Sequence, residues 1–206
     1  MITIDEALEN FPMIAILRGI RPVEAVDIAK LLYAKGFRCI EVPLNSPAPY
    51  ESISMMTEEL PEDCITGAGT VLSLDAVYRV REAGGRLIVS PNTNVEVIRA
   101  TVEAGMIAVP GVATATEAFV AVDAGARHLK LFPATTYGTD HLKALASVLP
   151  HSVKFIVTGG VNAANLLGWK VAGAAGFGIG SELYRQGDTA KDVDVNARAL
   201  CEALRI

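Results

Sequence analysis

Lys130 lies in the apolar run Leu129-Lys130-Leu131-Phe132-Pro133, where its side chain must either snorkel outward or be held inside the fold. Burial disfavours the ammonium form and lowers the pKa, which frees the amine as a nucleophile. Such an amine can form a Schiff base with a carbonyl compound. Glu41 repeats the pattern in Cys39-Ile40-Glu41-Val42-Pro43. Taken singly, each charge is more often a snorkelling side chain, a strand end or a salt-bridge partner. Two of them in comparable apolar runs point to a site where a nucleophile meets an acid/base group.

The elements that must position these charges show themselves as a repeat. A small or basic residue, a glycine and a short apolar run recur at Lys35-Gly36, Ala83-Gly84, Ala104-Gly105, Ala124-Gly125 and Ala172-Gly173. Each glycine suits the left-handed position that ends a helix, and each run after it suits a strand buried on both faces. Gly36 to Gly84 and Gly125 to Gly173 both span about 48 residues, so each interval holds an additional strand. Cys64-Ile65-Thr66-Gly67 and Lys154-Phe155-Ile156-Val157 supply them, and Met13–Leu17 opens the series.

Eight strands result. Helices are expected over Ile4–Asn10, Pro22–Ala34, Leu74–Ala83, Val95–Ala104, Thr116–Ala124, His141–Leu149 and Ala190–Leu204. Pro22 suits a first helical position, and Thr114, Thr116 and Asn162 are candidate caps. Eight alternating units in one domain over residues 1–206 predict an α/β fold, the (β/α)8 TIM barrel. The rival is a doubly wound open sheet. It would carry a dinucleotide fingerprint after the first strand, where the chain instead reads Arg18-Gly19-Ile20-Arg21-Pro22.

Barrel sites form at the C-terminal strand ends, where this chain places Arg18, Glu41, Thr70, Pro91 and Lys130. Thr158-Gly159-Gly160 and Gly180-Ser181 follow the seventh and eighth strands. Those glycines either make tight turns or let backbone amides approach a phosphate. Gly67-Ala68-Gly69-Thr70 is either a sharp turn or a place for a carboxylate against Thr70. Phe132 would wall the pocket beside Lys130. Tyr137, Trp169 and the methionines read as packing residues.

Bulk properties narrow the field. The chain has 206 residues, of which 51% are hydrophobic, and a formal net charge of −5. No run is long and apolar enough to span a bilayer, and Met1–Asn10 lacks the basic start of a secretory signal. No Lys/Arg cluster provides a nucleic-acid footprint. Cys39, Cys64 and Cys201 form neither a framework of pairs nor a CxxC motif, which suits a reducing cytoplasm. His128, His141 and His151 lack metal-motif spacing, so no metal and no cofactor is expected.

Taken together, Ile40-Glu41-Val42, Gly67-Ala68-Gly69-Thr70-Val71-Leu72, Lys130-Leu131-Phe132-Pro133, Thr158-Gly159-Gly160-Val161 and Gly180-Ser181 resemble the 2-keto-3-deoxy-6-phosphogluconate/galactonate aldolase family. The similarity runs from about Pro12 to Tyr184. It implies a class I aldolase with Lys130 as the Schiff-base lysine and Glu41 as the acid/base acting through a bound water. It implies that Arg18 and Thr70 hold the substrate carboxylate or nearby oxygens, and that Gly159, Gly160, Gly180 and Ser181 hold a phosphate. Pro91, Phe132 and Thr158 would complete the pocket. A phosphorylated keto acid is the implied partner, with neither nucleic acid nor membrane, and family members are usually homotrimers.

Ala15-Ile16-Leu17-Arg18-Gly19-Ile20 and Pro43-Leu44-Asn45-Ser46-Pro47 look like the phosphogalactonate branch, since the gluconate branch commonly carries arginine where Asn45 stands. Thr158 looks like the gluconate branch instead, which leaves gluconate or dual specificity, including 4-hydroxy-2-oxoglutarate, as the alternative. Two other readings of the residues compete. A phosphate-binding barrel isomerase or synthase without a covalent intermediate would share the glycine loops but leave Lys130 unexplained. A noncatalytic sugar-phosphate-binding protein would show ligand-induced stabilisation without turnover.

Overall fold

A computed structural model describes residues 2–204. The outermost positions of the expected 1–206 domain, residues 1, 205 and 206, lie outside the described residues. Parallel strands alternate with helices: β1 (Met13–Ile16), β2 (Cys39–Pro43), β3 (Ile65–Gly69), β4 (Leu87–Val89), β5 (Ile107–Val109), β6 (Gly111–Val112), β7 (His128–Leu131), β8 (Lys154–Thr158) and β9 (Gly176–Ile179). Their order is β5-β4-β3-β2-β1-β9-β8-β7-β6. Because β5 runs directly into β6, the ends of this order meet and the sheet closes into a barrel. The expected (β/α)8 architecture is present.

One detail differs from expectation. The fifth strand is two segments, β5 pairing with β4 and β6 pairing with β7. Pro110 separates them because it has no N–H to give to the ladder. Its carbonyl still accepts from Lys130 N at 2.8 Å. The sixth expected strand, which carries Lys130, is therefore β7.

Helices α2 (Pro22–Ala34), α3 (Pro49–Glu59), α4 (Leu74–Glu82), α5 (Val95–Glu103), α6 (Ala115–Asp123), α7 (Ala134–Ala146), α8 (Leu166–Val171) and α9 (Ala190–Leu204) lie between or after the strands. Thr114 caps α6, its hydroxyl accepting from Glu117 N, while the Glu117 side chain accepts from Thr114 N. The other expected cap there, Thr116, sits inside α6 because the Thr114–Glu117 exchange fixes the start at Ala115, one residue before the expected Thr116. Asn162 Oδ1 accepts from Ala164 N and Asn165 N and so closes the turn leading to α8. The seventh helix begins at Ala134 rather than His141 and is broken at Gly138, whose φ of 80° and ψ of 172° are not helical.

Strand alternation sorts the side chains into two sets. Ala15, Ile40, Val42, Ala68, Leu129, Leu131, Phe155 and Val157 belong to the large core shared with the helices. Ile14, Cys39, Ile65, Leu87, Val109 and Ile156 belong to a second cluster inside the barrel. Glu41 follows Cys39 by two residues, and Lys130 lies between Leu129 and Leu131. Both are thereby directed inward, one layer above the apolar filling.

The floor of the barrel is closed by α1 (Ile4–Asn10), whose Ile4, Ala7 and Leu8 join the inner cluster. Each such buried Ile or Leu contributes on the order of 1.5–3 kcal/mol. His128, at the lower end of β7, pins this helix through Nε2 to Asp5 Oδ1 at 2.9 Å. Ligand access is consequently from the opposite, C-terminal end of the strands.

Candidate active site

Glu41 on β2 and Lys130 on β7 face each other across the barrel. Passing through β1, β9 and β8, or through β3, β4 and the split strand β5–β6, the separation is the same number of strands. Glu41 is 1% exposed and Lys130 6%. Glu41 Oε2 has no hydrogen-bond partner among the described residues. A buried carboxylate lacking a donor resists ionisation. Burial accordingly pushes the Glu41 pKa up to about 7, against the opposing pull of the Lys130 and Arg18 charges. Burial likewise lowers the Lys130 pKa; the Glu41 carboxylate opposes this shift and Arg18 adds to it. Both groups are moved toward their neutral forms, the lysine toward a nucleophilic amine and the glutamate toward proton exchange near neutral pH.

Room for Glu41 comes from its neighbour. A Cβ at Gly69 would overlap both Glu41 carboxylate oxygens. In the same way, a Cβ at Gly178 on β9 would overlap the Thr158 hydroxyl on β8. Each glycine, on the strand beside its partner, thus makes room for an inward polar side chain, Gly69 for Glu41 and Gly178 for Thr158. Gly69→Ala is expected to leave the barrel folded but displace the Glu41 carboxylate, lowering kcat by at least about tenfold. Turnover equal to the parent protein, with Glu41 unmoved in a crystal structure, would show that this close approach is unimportant.

Above Glu41 opens a mouth of about 670 Å³. Lys130, Arg18, Thr70, Pro91 and Phe132 line it, together with Thr158, Gly159, Gly160, Gly180 and Ser181. These residues therefore border one cavity, with Glu41 deeper below it. The Phe132 ring centroid lies 4.7 Å from Lys130 Nζ. Thr70 has φ of 57°, left-handed backbone that disfavours a branched side chain by about 1–2 kcal/mol. Such strain at a cavity edge fits a binding position. Gly159 and Gly160 have φ of 96° and 76°, which glycine alone adopts freely, and they bring bare backbone to the rim.

Arg18 is held by a cross-loop pair. Its Nη1 donates to Asn45 Oδ1 at 2.6 Å, and Gly19 N donates to Ser46 Oγ at 2.9 Å. Asn45, Tyr184, Arg185 and Gln186 also line the mouth but were not proposed as site residues from sequence. From sequence, Asn45 bears only on the comparison of the two branches. Tyr184 and Arg185 lie just past Gly180-Ser181, and that proximity was the available signal.

A match to the family model for KDPG and KHG aldolase extends over residues 4–198. The chain belongs to that family. It is 44% identical over 196 residues to the 2-dehydro-3-deoxy-6-phosphogalactonate aldolase of Escherichia coli (strain K12), covering 95% of this chain and 96% of that one. It is also 44% identical over 192 residues to a probable 2-dehydro-3-deoxy-6-phosphogalactonate aldolase of Rhizobium meliloti (strain 1021), covering 93% of this chain and 91% of the relative. A solved structure described as native KDPGal superposes with a TM-score of 0.93 at 44% identity, covering 95% of each chain. The protein is thus an aldolase, a lyase built on a TIM barrel. Among the described residues, no helix of this aldolase is long and apolar enough to cross a membrane.

Proposed function

We propose that this aldolase cleaves 2-dehydro-3-deoxy-6-phosphogalactonate to pyruvate and D-glyceraldehyde 3-phosphate through a Schiff base on Lys130. The observation that carries the proposal is the buried amine directed into the mouth opposite the buried Glu41 carboxyl. In this reading the neutral amine attacks the C2 ketone, and loss of water gives a protonated imine. Glu41, acting through a water, accepts the C4 hydroxyl proton while the C3–C4 electron pair flows into the imine. Glyceraldehyde 3-phosphate leaves. The remaining enamine takes a proton at C3, and hydrolysis of the imine returns pyruvate and the free amine.

The residues around the mouth have roles that follow from their chemistry. Arg18, positioned by Asn45, is suited to pair with the substrate carboxylate, with Thr70 beside it. Gly159, Gly160, Gly180 and Ser181 offer backbone amides and a hydroxyl to the phosphate. Phe132 and Pro91 exclude water from the imine. Residues 1–206 act as one catalytic barrel domain in this proposal. Exposed apolar side chains such as Leu72, Phe119, Val120 and Tyr137 suit a homotrimer, and the wide scatter of Cys39, Cys64 and Cys201 along the chain suits the cytoplasm.

Thr158 favours a second reading, activity on 2-dehydro-3-deoxy-6-phosphogluconate. Its hydroxyl sits inward over Gly178 at the cavity wall, where it can touch a substrate hydroxyl. Side-by-side cleavage assays of the two C4 epimers, read by pyruvate release, separate the cases. A kcat/KM at least about tenfold higher for the galactonate epimer is expected. Equal values would replace that preference by dual specificity.

A further inference from the structure

We propose that Arg185 is a phosphate-binding residue of this site, supplying the full positive charge that its glycine amides lack. The inference rests on the aldolase reading above for the identity of the ligand, a phosphate monoester, and on the following geometry for the residue. Arg185 lines the mouth together with Gly159, Gly160, Gly180 and Ser181. Its Nε donates to the Ser181 carbonyl at 2.9 Å, which ties the guanidinium to the loop offering the hydroxyl. Nη2 forms an ion pair with Glu182 Oε1 at 3.9 Å, longer than a hydrogen bond and exposed to solvent, so the pair is weak and an anion can take the place of the carboxylate on the outer edge of the guanidinium.

The backbone beneath this arginine is fixed from both sides. Arg185 N donates to Asp188 Oδ2 at 2.8 Å, and Asp188 N donates to the Arg185 carbonyl at 2.9 Å. The preceding Tyr184 is buried and donates its hydroxyl to Glu24 Oε1 on α2 at 3.0 Å. The loop after β9 is thereby fastened to a neighbouring helix, and the exposed part of Arg185 starts from a defined position.

The other cations of the mouth are committed elsewhere. Lys130 and Arg18 both act electrostatically on Glu41, and Arg18 is held by Asn45 on the loop after β2. A phosphate dianion among neutral amides alone would be poorly compensated. A guanidinium edge delivers two parallel charge-assisted hydrogen bonds to phosphate oxygens.

The test compares Arg185→Gln and Arg185→Lys with the parent enzyme in the condensation direction. Pyruvate is combined with either glyceraldehyde 3-phosphate or glyceraldehyde, and inorganic phosphate binding is measured by calorimetry. The ratio of kcat/KM for the phosphorylated over the unphosphorylated acceptor should fall about ten- to hundredfold in Arg185→Gln, chiefly through KM. Arg185→Lys should recover part of the loss, and phosphate affinity should fall in the same order. An unchanged ratio with unchanged phosphate affinity overturns the proposal, as does an equal loss for both acceptors. Absence of condensation by the parent enzyme would instead count against the aldolase reading, and the phosphate titration would still decide the role of Arg185.

Discussion

Lys130→Met is expected to lower turnover by more than about 10⁴-fold and to remove the borohydride-trapped pyruvate adduct. An enzyme acting through a covalent nucleophile loses most of its chemical acceleration when that group is deleted. Methionine preserves much of the length and apolar bulk at a position that is 6% exposed, so the barrel should fold. Peptide mapping of the reduced parent protein should find the added mass on Lys130 alone. Full turnover in the variant, or an adduct on a different lysine, would remove the central residue from the mechanism. The same substitution also takes away the cation that draws the Glu41 pKa down. A probe of that carboxyl should find it protonated to higher pH in the variant.

Glu41→Gln is expected to reduce kcat by about 10²–10⁴-fold, the range associated with a lost general base. Imine formation should survive, so pyruvate would still be trapped on Lys130 while carbon–carbon cleavage slows. In the parent enzyme, kcat/KM should rise with pH through about 7, where the Glu41 carboxylate forms. The stability effect has the opposite sign. An unfolded chain releases this proton near the ordinary value of 4.5, whereas the native protein holds it to about 7. Between those values the native state binds more protons, and stability falls as pH rises. At 1.36 kcal/mol per unit the loss is on the order of 3 kcal/mol and levels off above neutrality. Thermal unfolding from pH 4 to 9 should show this decline in the parent and not in Glu41→Gln. Superimposable pH–stability curves would mean that Glu41 ionises as if it were in water.

Much of the fold could be read because its punctuation is local. Gly36, Gly84, Gly105, Gly125 and Gly173 all have positive φ, each allowing a helix to turn into the next strand. The break at Pro110 is not legible in its own segment because it depends on which neighbour each half of the fifth strand reaches. That is a relation between distant residues. Thr114 and Thr116 have similar side chains, and only the Glu117 exchange distinguishes a cap from an internal residue.

The site was legible to the extent that its residues are out of place in apolar runs, as Lys130 and Glu41 are. Gly69 lies in a segment that reads as a sharp turn or a place for a carboxylate; its role in making room, like that of Gly178, follows from the adjoining strand and cannot be seen within its own segment. Asn45 acquires its relation to Arg18 only when two loops meet. Arg185 resembles any surface arginine until the cavity is drawn.

The opposed placement of Lys130 and Glu41 on β7 and β2 has an evolutionary corollary. The spacing between these two residues, nucleophile and proton carrier of the proposed mechanism, is dictated by the circumference of the closed sheet, whereas Arg18, Asn45, Gly160 and Arg185 belong to connections beyond its rim. On that mechanism, insertions or exchanges in those connections would change which aldehyde is accepted and leave the bond-breaking geometry in place.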